Sequence, residues 1–197
     1  MARKFDEFAE MMLGKCMRLQ SGGKHEEALA CMVDLTKKMP DLELAWHYHG
    51  MNLMSLKRYK EALNSFNKAT ELDPKDWTSI SARGLCKLLL KDFDGAKKEF
   101  DVSLTINPND VPTLVFACIS SIMKNEKVPA EAYIKKAIEI EPETAGEMLN
   151  TFMFSLMQQG AFESDKKVKE AYERLSSSLR KLQVAKEKYK ESKKKKK

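Results

Sequence analysis

Few residues in this chain are equipped for chemistry, and their spacing leaves them little to do. The histidines are His25, His47 and His49. On a helix His47 and His49, two apart, point to different faces and cannot share one metal ion or one proton. No H-E-x-x-H, G-x-S-x-G or G-x-x-x-x-G-K-[ST] run occurs, and Ser21-Gly22-Gly23-Lys24 is too short to cradle a phosphate, so it is expected as a flexible turn. Cys16, Cys31, Cys86 and Cys118 stand far apart without a C-x-x-C pair, each in an apolar, helix-like setting. They are expected as four reduced thiols serving as small hydrophobes, rather than as a disulfide or a zinc site. These residues predict no enzyme, no metal and no cofactor.

What the sequence repeats is packing. The stretch RYKEALNSFNKATELDP, Arg58 to Pro74, returns thirty-four residues later as DFDGAKKEFDVSLTINP, Asp92 to Pro108. Tyr59 matches Phe93, Ala62 matches Ala96 and Phe66 matches Phe100, while Pro40, Pro74, Pro108 and Pro142 step by the same interval. A period of that size implies stacked supersecondary units. Within one unit Trp46, Gly50 and Leu53, then Tyr59, Ala62, Phe66 and Ala69, fall at helical spacing, which predicts two helices joined by a short polar turn. Proline ends the second helix because it cannot continue it and restrains the residue before it. Small Gly50 and Ala62 let the two helices approach, and Phe66 and Tyr59 fill the wedge between them.

Residues Ala45 to Pro74 resemble a tetratricopeptide repeat, matching its signature at Trp46, Gly50, Tyr59, Ala62, Phe66, Ala69 and Pro74. The next copy keeps Gly84, Phe93, Ala96, Phe100 and Pro108, with Ser103 in place of an alanine. The flanking copies depart further. Aligning Leu13-Gly14 with the repeat glycine makes the first copy two residues longer, with an insertion expected at Ser21-Gly22-Gly23. The fourth has Cys118 for the glycine and Pro129 in the first turn of its second helix. The expected fold is an all-α, right-handed solenoid of tetratricopeptide-type helical hairpins with C-terminal capping helices. Residues 1–162 would hold repeats at about 7–42, 43–76, 77–110 and 111–144 and then an apolar capping helix; a long amphipathic basic helix would span 163–192, and a disordered lysine tail 193–197.

The resemblance implies a protein-binding groove on the concave side of the first helices. Its positions here are Leu44, His47, Met51 and Met54, then Ser81, Leu85 and Leu88, then Val115, Ile119 and Ile122, an apolar surface partly lined by methionine. Independently, LVFACISSIM, Leu114 to Met123, is apolar on nearly all sides, more than one packing face needs. The excess is either an exposed binding surface or is buried by the chain's own helix near Met148 to Met157. Relatives that hold the acidic tails of heat-shock chaperones do so with a clamp of Lys, Asn and Arg. Tyr48, Ala82 and Phe116 occupy positions that this clamp would need, which argues against such a ligand.

The net charge of +6 is uneven. Residues 163–197 carry 14 Lys and Arg against 6 Asp and Glu, leaving a small acidic excess for the rest. The basic end is either a solubilising tail or a weak contact for RNA or another polyanion. The narrow apolar stripe of the last helix, Val168 to Tyr189, offers self-association with a second copy. No apolar run reaches the ~20 residues of a membrane span, and MARKFDEFAE lacks a secretory apolar region, so the expected location is cytoplasmic. The expected function is therefore a non-enzymatic adaptor binding a peptide or amphipathic helix of another protein; the alternative is a ribosome- or nucleic-acid-associated factor docking through its basic end.

Overall fold

The computed structural model describes residues 7–158, together with Lys169, Glu170, Tyr172, Glu173 and Ser177. The described residues are all-α, without a strand, in two compact units, Met1–Ile106 and Asn107–Lys197. The first unit is three helical hairpins: α1 (Glu7–Ser21) with α2 (His25–Lys38), α3 (Glu43–Ser55) with α4 (Tyr59–Leu72), and α5 (Trp77–Leu89) with α6 (Phe93–Ile106). Each helix also packs on its chain neighbour in the next hairpin, α2 on α3 and α4 on α5. The second unit is a hairpin of α7 (Val111–Met123) and α8 (Lys127–Ile140), with α9 (Pro142–Gln158) packed on both. No helix among the described residues is long and apolar enough to cross a membrane.

One turn geometry closes all four hairpins. Among the described residues, those with positive φ are Gly23, Lys57, Lys91 and Asn125, at 75°, 59°, 65° and 59°. They recur at the sequence period, two residues past the last helical residue. At each, the next amide reaches back to the helix: Arg58 N donates to the Leu53 carbonyl at 2.8 Å, and Asp92 N to that of Lys87 at 2.9 Å. This is the left-handed C-cap, which satisfies carbonyls that a helix end leaves free. Only the first copy uses glycine, which adopts the conformation without a Cβ penalty.

The same register corrects the expected insertion. Because α1 ends at Ser21 and α3 at Ser55, and Gly23 matches Lys57, the first repeat has the length of the others. The counterpart of Gly50 and Gly84 is Cys16, not Gly14. A Cβ on Gly14 would meet only the Arg18 guanidinium, at an ordinary contact distance of 3.8 Å. By contrast, a Cβ on Gly50 would stand 2.8 Å from the Phe66 ring, and one on Gly84 2.7 Å from the Phe100 ring. These two glycines are required by close approach of a ring, as the repeated types implied.

A second link recurs one residue before the Phe66 and Phe100 wedges. In the second hairpin Ser65 Oγ and His49 Nδ1 share a hydrogen bond of 2.8 Å. In the third, the equivalent Glu99 accepts from Arg83 Nη2 at 2.5 Å and from Lys87 Nζ at 2.6 Å, while Arg83 Nη1 donates to Thr70 Oγ1 at 2.8 Å. In the first hairpin the equivalent residue is Cys31, and it is disulfide-bonded to Cys16, with a Cα–Cα distance of 5.5 Å. The expectation of four reduced thiols is thus wrong for this pair: the hairpin brings together two cysteines that fifteen residues of sequence separate. It also removes the cysteines as support for a cytoplasmic location. Cys86 and Cys118 are free and buried, and burial pushes both thiols up, Cys86 to about 12, so neither presents a reactive thiolate near neutral pH.

In the second unit α7 is buried around most of its circumference, from Val111 to Ile122. Asp110 caps its N-terminus, accepting from Thr113 N at 2.9 Å. The apolar excess of α7 is taken up inside the chain, by α8 and by α9, whose Phe152 ring stands edge-on to Phe116 at 5.4 Å. Ala145, Leu149, Met153 and Leu156 are the buried side of α9. Of the long helix expected over 163–192, the few described residues are helical, and Tyr172 donates a hydrogen bond to Asn150 Oδ1 at 3.1 Å. The rest of that helix and the lysine tail at 193–197 lie outside the described residues.

Candidate protein-binding face

The ten residues expected to line a groove divide by exposure. Val115, Ile119 and Leu88 have no exposed surface, and Ile122 has 1%. Ser81 is also buried. Side chains sealed in this way offer nothing to a partner, so these five are corrected from groove to core. The reason is energetic: a fully buried Leu, Ile or Val stabilises the fold by about 1.5–3 kcal/mol.

The other five keep part of their surface. Leu44, His47, Met51 and Met54 on α3 and Leu85 on α5 are half-buried. The two first helices are neighbours within the unit. The inner edges of Met51 and Met54 rest on the cluster of Leu29, Leu53, Ala62, Phe66 and Cys86, and Leu44 rests on Leu13, Cys16, Met32, Leu35 and Ala45. Each packs on the core and keeps part of its surface exposed. Flexible thioethers held in this manner suit apolar partners of varied shape.

His47 ties this face together. Its Nδ1 shares a 2.7 Å hydrogen bond with Ser79 Oγ, bridging α3 to α5, and its ring stands edge-on to Tyr48 at 5.3 Å and to Phe66 at 5.7 Å. Asp76 is close by, so Asp, His and Ser meet in one place. They do not form a nucleophilic triad. Ser79 is fully buried, and the Asp76 carboxylate is occupied as the N-cap of α5, accepting from Thr78 N at 3.0 Å and from Ser79 N at 3.2 Å. Burial alone would raise Asp76, but the hydrogen bonds from Ser79 and Thr78 and the charge of His47 together hold it below its ordinary value. Among the described residues, no cluster of His, Cys, Asp and Glu could hold a metal ion.

Both α3 histidines are harder to protonate than a free imidazole. Burial lowers His47 against the opposing charge of Asp76; His49 is lowered by burial and by Arg58 against Glu61. The folded protein therefore resists protons that the unfolded chain accepts below pH 6.5, the ordinary histidine value. Stability is expected to fall as the pH drops from about 6.5 through the lowered folded-state values, and then to level off. Denaturant melts at steps from pH 7.5 to 4.5 measure this. The double change His47→Gln and His49→Gln should flatten that part of the profile, and an equally steep profile in the variant would contradict the assignment.

Residues 43–76 match the family model described as a tetratricopeptide repeat. Among curated proteins, the BBSome complex member BBS4 of Bos taurus is 30% identical over 128 residues, which is 65% of this chain and 23% of that protein. The NatA auxiliary subunit N-alpha-acetyltransferase 16 of Homo sapiens is 26% identical over 105 residues, 53% of this chain and 12% of its own length. The chain spans about a quarter or less of these curated relatives. Among solved structures, MamA 41-end from Desulfovibrio magneticus RS-1 superposes with a TM-score of 0.67 at 16% identity, covering 91% of this chain and 97% of its own. The first TPR of Spaghetti (RPAP3) bound to HSP90 peptide SRMEEVD superposes with a TM-score of 0.56 at 22% identity, covering 57% and 90%. The family match thus places a tetratricopeptide repeat at residues 43–76, and the repeated hairpins with their glycine–phenylalanine wedges share the fold of these solved structures.

Proposed function

We propose that this protein is a non-enzymatic adaptor that holds a peptide or helix of another protein against the apolar face of α3 and α5. One observation carries the reading: Met51, Met54 and Leu85 remain half-buried on neighbouring first helices, while Ile119 and Ile122, their counterparts on α7, are sealed. The solved first TPR of Spaghetti is bound to an HSP90 peptide, which supports peptide capture by this kind of hairpin array. Here Tyr48 and Ala82 stand where the clamp for such an acidic tail would be needed, so an apolar segment is the expected ligand. A second reading rests on the basic end, 14 cationic against 6 anionic residues over 163–197, as a dock for RNA or another polyanion.

Salt separates the two. Each phosphate neutralised by a lysine releases condensed counterions, so polyanion binding weakens steeply with salt and depends on Lys193 to Lys197. An apolar contact on α3 and α5 is weakly sensitive to ionic strength. The chief partner recovered from cells is to be titrated into full-length protein and into protein ending at residue 162, across a salt series. The adaptor reading expects similar affinities and a shallow slope; a steep slope that disappears with the truncation would overturn it.

A further inference from the structure

The link between the two helices of each hairpin differs in kind along the first unit. From the equivalent second-helix positions Ser65, Glu99 and Cys31 it is a hydrogen bond to His49, an ion pair with Arg83, and a covalent bond to Cys16, which stands one residue past the counterpart of His49 and Arg83. The first hairpin also lacks the aromatic wedge, since Cys16 stands for the glycine and Met32 for the phenylalanine. Its α1, the first of the described helices, packs on α2 and only marginally on α3. The covalent bond thus does in this hairpin what ring packing does in the next two. Of the two residues, Cys16 is fully buried and Cys31 is partly exposed.

We propose that the Cys16–Cys31 bond is a reducible site for a dithiol reductant, and that opening it releases α1 from the rest of the first unit. A thiolate of the reductant attacks Cys31 Sγ, which belongs to the more exposed of the two residues. The Cys16–Cys31 bond breaks, and Cys16 leaves as a thiolate that takes a proton from water. The second thiol of the reductant then closes on the mixed disulfide, which frees Cys31 as a thiol and leaves the reductant as a cyclic disulfide, two electrons having passed to the protein. Cys86 and Cys118 have no exposed surface and take no part in the exchange. Once α1 is free, the exposed Ser21-Gly22-Gly23-Lys24 turn is the joint on which it moves.

Full-length protein purified without reductant is unfolded and alkylated with iodoacetamide, before and after treatment with dithiothreitol. Intact mass should register two added groups before reduction and four after it. Amide exchange of the folded protein should then be about tenfold or more faster in α1 after reduction, with α4 unchanged. The double variant Cys16→Ser and Cys31→Ser should exchange like the reduced protein without any reductant. Four added groups before reduction would overturn the bond. Unchanged exchange of α1 after reduction, in wild type and variant alike, would overturn its role as the holding link.

Discussion

Phe100→Ala is expected to cost about 3–5 kcal/mol, which combines lost transfer energy with the cavity left behind. Phe100 is fully buried, and its ring occupies the space that Gly84 leaves by having no side chain. Helices α5 and α6 cannot close on that space without moving Glu99, which is held from both sides by Arg83 and Lys87. The reciprocal change, Gly84→Ala, should cost less. Overpacking against the ring costs roughly 1–3 kcal/mol, but alanine recovers about 1 kcal/mol of helix propensity. Urea melts of both variants check the order, and a Phe100→Ala midpoint equal to that of wild type would mean that the wedge does not hold the third hairpin.

Ile119→Glu is expected to unfold the second unit rather than to disturb binding. With no exposed surface at Ile119, a carboxylate there would be desolvated in the core of the second unit. The cost should exceed about 4 kcal/mol, a large share of the 5–15 kcal/mol that stabilises a typical domain. Amide exchange should show α7 and α8 unprotected, while α4 stays protected. If the variant kept native protection in α7, that helix would have an open face after all.

The periodicity of Pro40, Pro74, Pro108 and Pro142 made the hairpins legible, because each proline marks a helix end by its own covalent geometry. Gly50 with Phe66, and Gly84 with Phe100, were legible for the same reason: a small and a large residue at fixed spacing describe one contact seen twice. The first hairpin was misread because Gly14 is a glycine near the right place. Counting back from Lys57 and Lys91 to Gly23 would have found Cys16 instead, and with it the proximity of Cys31. The binding face was legible only as a list of positions on first helices. Whether Leu85 or Ile119 is open depends on what packs over it, and α9 sits on α7 through contacts that no local pattern encodes.

The central claim is that the half-buried tips on α3 and α5 hold a protein segment. It is tested most directly by calorimetric titration of the chief cellular partner into wild-type protein and into the double variant Met51→Glu and Leu85→Glu. Both side chains are only half-buried, so glutamates there can reach water and the fold should survive, as an unchanged helical circular dichroism melt would confirm. Two apolar contacts replaced by charges should weaken binding about a hundredfold or more, as expected for loss of a few kcal/mol from the centre of an interface. Full affinity in a folded double variant would contradict the claim and move the binding surface elsewhere on the chain.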